Sequence, residues 1–369
     1  MNIDLFFSIG LFFSAIYAFI LISFVIGIFN LPRLRDKNIK PISVIIAARN
    51  EEKNLGTLIN ALDRQNYPED KYEVIIINDR STDNTLQLMF EQNQRFNWLM
   101  IDEITEKDHD MVGKKRALNL GISKAKHEIL AFTDADCLPG INWLKEINAM
   151  MTSETDFLCG YSPLIGSNKL MNLIKNLERS SIFAVIAGSF GMGWDITSVA
   201  RSQVYRKSKF EEVNGFNGIG EQRSGDDDLL LQKMSPVLRK RNFIFNPQAS
   251  VASIYKPDLK EQIQLEIRRA SKWKLYPLPI KLLTLFVLIF YLFISCSLIL
   301  TISNKLSWAD YIYLNLPKIL GEFILLAVFL AKTAQLKQLV VFPLAEIFYI
   351  PYYVYFGLKG TFGTYSWKK

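Results

Sequence analysis

The sequence predicts an α/β domain on a mostly parallel sheet, held at a membrane by apolar helices before and after it. Three observations carry this reading. Between residues 31 and about 277, apolar runs of strand length alternate with segments of helical periodicity. Residues 5–29 contain no charged side chain and are long enough to cross a bilayer as a helix. Beyond residue 277 the chain becomes apolar again, and residues 280–302 are nearly uninterrupted.

The first apolar run follows Asp4, with no Lys or Arg ahead of it and no Ala-x-Ala pattern after it. A retained anchor over residues 1–30 is therefore expected rather than a cleaved signal peptide. Arg33, Arg35, Lys37 and Lys40 come next and place that flank in the cytoplasm by the positive-inside tendency.

Ile42 to Ala48 (ISVIIAA) reads as a buried strand, followed by a helix with Leu55, Leu58, Ile59 and Leu62 at i, i+3, i+4, i+7. Tyr72 to Asn78 (YEVIIIN) is a second strand, ending at Asp79 and the turn and cap residues Ser81, Thr82 and Asp83. Residues 114–125 read as a helix, and residues 128–132 as a third strand that delivers Asp134 and Asp136. Ligands of parallel sheets bind beyond the carboxyl ends of the strands, so all three exits are candidate binding positions. Asp-x-Asp also occurs at Asp108-His109-Asp110 and Asp226-Asp227-Asp228, so context must separate the three. The first of these has no strand before it and reads as a solvated loop.

Residues 258–273 (DLKEQIQLEIRRASKW) put Leu259, Ile263, Ile267 and Ala270 on one helical face, with Lys260, Arg268, Arg269 and Lys272 elsewhere. This predicts an interfacial amphipathic helix over 258–277, with Trp273 and Tyr276 at headgroup depth. A connector helix with a solvated face is the alternative. In the membrane region, 278–369, the segments 312–331 and 339–358 are weaker spans, interrupted by Lys318, Glu322, Pro343, Glu346 and Pro351. Charges at such places are expected to face a partner or a cavity. Four spans would leave the C-terminal flank outside, whereas Lys359, Lys368 and Lys369 favour the inside. The two readings conflict unless one weaker segment is re-entrant or interfacial.

Composition narrows the chemistry. The net charge is +7, but the cations gather near the apolar segments, so lipid headgroups are the expected partner and nucleic acid is not. Three cysteines, Cys296 among them in an apolar run, give no disulfide framework and fit a reducing compartment. Two histidines and no paired-Cys spacing speak against structural zinc. The first strand is followed by Ala47-Ala48-Arg49-Asn50-Glu51-Glu52 and no Gly-x-Gly-x-x-Gly, which disfavours a dinucleotide site. Phosphate would then be neutralised by Mg2+ or Mn2+ on Asp134 and Asp136, since these ions take oxygen ligands and keep positions open for substrate. A transporter is disfavoured by the few strong spans and the lack of a Gly-x-x-x-x-Gly-Lys-Ser/Thr loop.

Five stretches in order, ISVIIAARNEEKNL, VIIINDRSTDNT, GKKRALNLGI, ILAFTDADCLP and SGDDDLLLQK, resemble a membrane-bound family 2 glycosyltransferase over roughly residues 41–235. The resemblance implies a GT-A fold, a Rossmann-like mixed sheet, for a catalytic domain over 31–257. It implies that Ala47, Arg49 and Glu51 frame the nucleotide base and ribose. Asp79 would accept a hydrogen bond from the base, uracil N3–H, although Asp79 and Ser81 also suit a turn and helix cap. Lys114 would face the donor phosphates, the alternative being an ordinary exposed lysine. Asp136 would bind the metal directly, and Asp134 the metal or the ribose. Asp226 would be the general base, with Asp227 in reserve, because Gly225 stands where relatives carry Glu. Repulsion among the three carboxylates is expected to raise the pKa of at least one. Arg269 and Trp273, a partial Gln-x-x-Arg-Trp, would hold the diphosphate and shape the acceptor entrance, with processive synthesis less expected. Relatives' Gly-x-Asn ahead of Tyr205-Arg206-Lys207 is replaced here by Ala200-Arg201-Ser202.

The function so implied is inverting transfer of a sugar from a nucleotide diphosphate donor, a UDP-sugar, to a lipid or lipid-linked acceptor at the cytoplasmic membrane face. A growing surface polysaccharide is the alternative acceptor. A non-catalytic nucleotide-sugar-binding membrane scaffold is the alternative of another class.

Overall fold

The structure is a computed structural model that describes residues 3–104, 111–166, 169–254 and 259–363. Asp108-His109-Asp110, the first residue of the expected interfacial helix, Asp258, and Lys368 and Lys369 lie outside the described residues. The strands are β1 (Ile42–Ala48), β2 (Tyr72–Asn78), β3 (Leu99–Glu103), β4 (Ile129–Phe132), β5 (Cys137–Pro139), β6 (Thr155–Gly160), β7 (Leu164–Ile165), β8 (Gln203–Arg206), β9 (Lys240–Ile244) and β10 (Val251–Ile254). Seven form one sheet in the order β3-β2-β1-β4-β8-β6-β9, and β5, β10 and β7 form a second, small sheet. In the large sheet β8 runs antiparallel to both neighbours, β4 and β6, while the other pairings are parallel. The sheet is mixed.

The helices of the domain are preceded by α1 (Ile3–Asn30) and are α2 (Leu55–Asp63), α3 (Thr85–Asn93), α4 (Lys114–Lys124), α5 (Trp143–Met150), α6 (Lys169–Gly191), α7 (Lys207–Glu212), α8 (Asp228–Met234) and α9 (Leu259–Ser271). Strand residues of period two divide the core into two layers. Ile42, Val44, Ile46 and Ala48 pack with Leu55, Leu58, Ile59 and Leu62 of α2 and with α5. Ile45, Ile75, Ile77, Leu130 and Phe132 face the other way, toward α4, α6 and the long apolar helices. Both faces are covered, which is why β1 and β2 read as continuous apolar runs rather than alternating ones.

After α9 come α10 (Leu278–Ile302), α11 (Trp308–Lys332) and α12 (Phe342–Phe362). With α1, and with the turn at 336–341 counted into the last, these are four helices long and apolar enough to cross a membrane. Their interior polar groups satisfy one another. Lys318 bonds Glu322 at 2.8 Å and Glu346 at 2.6 Å, and the Tyr17 hydroxyl donates to Glu322 at 2.6 Å. The charges that interrupt the weaker apolar segments thus face partners on α1, α11 and α12. Both ends of α12 meet parts of the chain outside the helix bundle. Just before it, Gln338 donates to the Tyr161 hydroxyl at 3.1 Å and accepts from Ser180 at 2.8 Å. At its far end Gly360 lies against Ala270 of α9, where an added Cβ would stand 2.5 Å from the alanine's.

Candidate active site

Because β1 and β2 pair in register from Ile42↔Tyr72 to Ala48↔Asn78, they end side by side. Two residues past each, Asn50 and Arg80 take left-handed backbone, both at φ 56°, a conformation uncommon outside glycine. Hydrogen bonds stitch the two exit loops together. The Asn50 amide donates to Ser81 Oγ at 3.0 Å, the Thr82 amide to Asn50 Oδ1 at 2.8 Å, and the Glu51 amide to Thr85 Oγ1 at 2.8 Å. Asp79 is buried and accepts from Arg80 Nε at 3.0 Å. Ala47 is half-buried, Arg49 exposed, and Glu51 accepts from the Asn54 side chain at 2.6 Å. Ala47, Arg49, Glu51 and Asp79 therefore share one rim of the sheet.

At the neighbouring exit of β4, ligand atoms of Asp134, Asp136 and Cys137 lie within 4.8 Å of one another. The Cys137 thiol donates to Asp136 Oδ1 at 3.8 Å. Burial, then the charges of Asp134 and Asp136, push that thiol above its ordinary value, so it stays protonated. The donors left are two carboxylates, the hard oxygen ligands that suit Mg2+ or Mn2+. Lys114 contacts Asp134 and lies 3.3 Å from Asp226 Oδ2, while Arg201 Nε is 3.8 Å from Asp134 Oδ2. Burial works to lower the Lys114 ammonium, but Asp134 and Asp226 outweigh it and hold the group above its usual value. Asp134 is held below the usual carboxylate range by Lys114 and Arg201, against the effect of burial.

The acidic triplet opens on Gly225, whose φ is 92° and where an added Cβ would stand 2.4 Å from Leu229. Only glycine suits that backbone, so the carboxylates begin at Asp226. Asp227 caps α8, accepting from the Asp228 amide at 2.8 Å, and lies 3.6 Å from Lys272. Asp228 contacts Lys272 and accepts from the Tyr276 hydroxyl at 2.6 Å and the Leu229 amide at 2.8 Å. Burial opposes ionisation of Asp227, yet Lys272 and the Asp228 amide hold it well below the usual range. Burial, and then the charge on Asp227, raise Asp228. The repulsion expected within the triplet thus falls on its most enclosed member.

The residues at and just after the C-terminal end of α9 lie beside this cluster. Arg269 pairs with Glu266 at 2.7 Å, and the buried indole nitrogen of Trp273 has no hydrogen-bond partner among the described residues. Contact with the triplet is made by Lys272 and Tyr276, whose ammonium and hydroxyl reach Asp228. Lys272 immediately precedes Trp273 of the partial motif, a proximity that could have singled it out. Arg201 lies in the stretch that departs from the family pattern, and no sequence signal marked it.

A mixed sheet with carboxylates at adjacent strand exits defines the GT-A class of fold. Residues 43–213 match the family described as glycosyl transferase family 2, and the domain they form is a family 2 glycosyltransferase domain. Glycosyltransferase AglE of Haloferax volcanii is 36% identical over 104 residues, 28% of this chain and 33% of that protein. Probable glycosyltransferase YdaM of Bacillus subtilis is 31% identical over 251 residues, 66% of this chain and 57% of that protein. This chain thus spans between a third and just over half the length of these relatives. Among solved structures, the mannosyltransferase PcManGT from Pyrobaculum calidifontis, in complex with GDP-Man and Mn2+, aligns with TM-score 0.55 and 16% identity. The alignment covers 93% of this chain and 99% of that one, a likeness of fold.

Proposed function

We propose that the chain is an inverting, divalent-metal-dependent glycosyltransferase that moves a sugar from a nucleotide diphosphate, a UDP-sugar first among candidates, to a lipid or lipid-linked hydroxyl at the cytoplasmic face of a membrane. The observation that carries this reading is Lys114, which touches Asp134 and lies 3.3 Å from Asp226, so that the strand-exit pair and the acidic triplet face one another. Ala47, Arg49, Glu51 and Asp79 line the rim for base and ribose. Mg2+ or Mn2+ on Asp136 and Asp134 would offset the charge of the departing diphosphate, and Mn2+ accompanies the nucleotide sugar in the similarly folded mannosyltransferase. Lys114, charged throughout the neutral range, faces the phosphates. Asp226 takes the proton from the acceptor hydroxyl as that oxygen attacks the anomeric carbon. Asp227 and Asp228, held by Lys272 and Tyr276, anchor the segment that presents it.

A mechanical link supports this acceptor class. Lys272 and Tyr276, which hold the triplet, sit directly between α9 and Leu278, the first residue of α10. The triplet is thereby tied to the point where the chain meets the membrane, which favours an acceptor presented there. For the membrane disposition we infer three crossings, by α1, α10 and α11, with α12 entering and leaving on the catalytic side. Its flanks, at Gln338 and Gly360, touch Tyr161, Ser180 and α9. Arg33, Arg35, Lys37, Lys40, Lys332, Lys337 and Lys359 then all lie on one side, as the positive-inside tendency requires for the cytoplasm.

The full chain in detergent, given Mn2+ and a panel of nucleotide sugars, is expected to release nucleotide with one donor preferred, and chelation is expected to abolish release. Asp226→Asn should keep nucleotide binding and lose roughly 100- to 10,000-fold in turnover. Release with no donor preference, or an Asp136→Ala variant as active as the parent, would contradict the assignment.

A further inference from the structure

The loop that leads into the acidic triplet, residues 213–227, contains no helix or strand between α7 and α8. Two lysine ammonium groups hold its backbone. Lys233 of α8 donates to the carbonyls of Gly215 at 2.7 Å and Asn217 at 2.6 Å, in the first half of the loop. Lys115 of α4 serves the second half. It is 2% exposed, and it donates to the carbonyls of Ile219 at 2.7 Å, Gln222 at 2.8 Å and Ser224 at 2.8 Å. An ammonium has three donors, so all of them are used.

A buried charge is normally paired with an opposite charge. Among the described residues no carboxylate oxygen lies within 4.0 Å of Lys115; its immediate partners are loop carbonyls alone. Burial pulls the ammonium down to about 8, opposed by the more distant charges of Asp226, Asp228 and Asp227. The three carbonyls also favour the protonated form. The last of them belongs to Ser224, two residues before Asp226, so wherever the ammonium is fixed, the backbone that presents Asp226 is fixed too.

We propose that Lys115 is a positioning residue: by binding the carbonyls of residues 219, 222 and 224 it sets where Asp226 stands, while its neighbour Lys114 meets the Asp226 side chain itself. This rests on the reading of Asp226 as the base. Lys115 bonds the loop's carbonyls, so its effect on Asp226 passes through the backbone.

The test compares the parent chain with Lys115→Met and Lys233→Met, in detergent, by steady-state kinetics, UDP binding and amide hydrogen exchange. Lys115→Met is expected to lower kcat roughly 30- to 100-fold, as about 1 Å of misplacement does. Donor KM and the UDP Kd should stay within about threefold, and exchange should accelerate at residues 219–228. Lys233→Met is expected to accelerate exchange near 214–217 alone and to keep kcat within about threefold. Unchanged kcat in Lys115→Met, or a loss carried by KM with exchange unaltered, overturns the proposal. Should Lys115→Met not fold, Lys115→Gln, which keeps two donors, is expected to show the same split at about tenfold, and full turnover there overturns it equally. If the parent itself transfers no sugar, the reading of Asp226 falls, while the exchange comparison still decides whether Lys115 fixes the loop.

Discussion

Carboxylates of one residue type are put to different uses by their surroundings. Asp226 meets a lysine at the rim, Asp228 is enclosed by Lys272, Tyr276 and an amide, and Asp156, far from these, is fully buried between two arginines. Arg239 reaches Asp156 at 2.6 Å and Arg206 at 3.1 Å. Burial works to raise the Asp156 carboxyl, but Arg239 and then Arg206 hold it below its ordinary value of 3.8. Its folded pKa is therefore lower than its unfolded one. The stability it contributes is full above about pH 4 and is lost as pH falls through the folded value. Asp156→Asn would leave Arg206 without its counter-charge and is expected to cost about 3 kcal/mol at pH 7. The thermal midpoint should drop by several degrees and depend less on acid below pH 4 than in the parent. A midpoint unchanged at pH 7 would show the pair to be without consequence. The sequence offered no sign of this network, because its members are 50 and 83 residues apart and meet only across β6, β8 and the start of β9.

Among the elements, the crossing of α1 and α6 decides how the domain is fastened to the first apolar helix. Backbones approach so closely that a Cβ at Gly27 would lie 1.9 Å from the Gly188 carbonyl oxygen, and one at Gly191 would lie 1.8 Å from that of Gly27. No side chain fits there without parting the helices. Gly191→Val is expected to destabilise by about 2 kcal/mol or more, the usual scale of overpacking. Gly56→Ala, in α2 with open space around it, should be neutral or stabilising by up to about 1 kcal/mol. Thermal unfolding of the two variants checks both, and equal midpoints would refute the close crossing. The strands and helices around the exits of β1, β2 and β4 were legible because local pattern and burial agree there. Helix α6 was not, since its apolar stripe answers to α1, α11 and the sheet at once, and nothing near it in sequence announces those partners.

For the whole molecule the open question in the sequence was which side holds the C-terminal flank. Four apolar segments and a basic end gave incompatible answers. The contacts of α12 at both ends favour three crossings and one returning helix. In a Cys296→Ser background, where Cys137 and Cys159 are buried, an impermeant thiol reagent on intact cells is expected to label Asn304→Cys, between α10 and α11. Lys337→Cys and Lys359→Cys should react only after permeabilisation. Labelling of Lys359→Cys in intact cells would refute the returning helix. The sequence by itself determined the parallel core strands, the exits that carry Asp79, Asp134 and Asp136, the long apolar helices and the kinship of the domain, since hydrophobic period and short motifs are local properties. Only the tertiary structure decided that Lys114 bridges two acidic clusters, that Lys272 and Tyr276 hold the triplet, that Lys115 bonds the loop before it, and that both ends of α12 meet the rest of the chain outside the helix bundle. Each of these depends on the direction of a side chain or helix end relative to residues distant in the chain, and spacing along a sequence does not encode that direction.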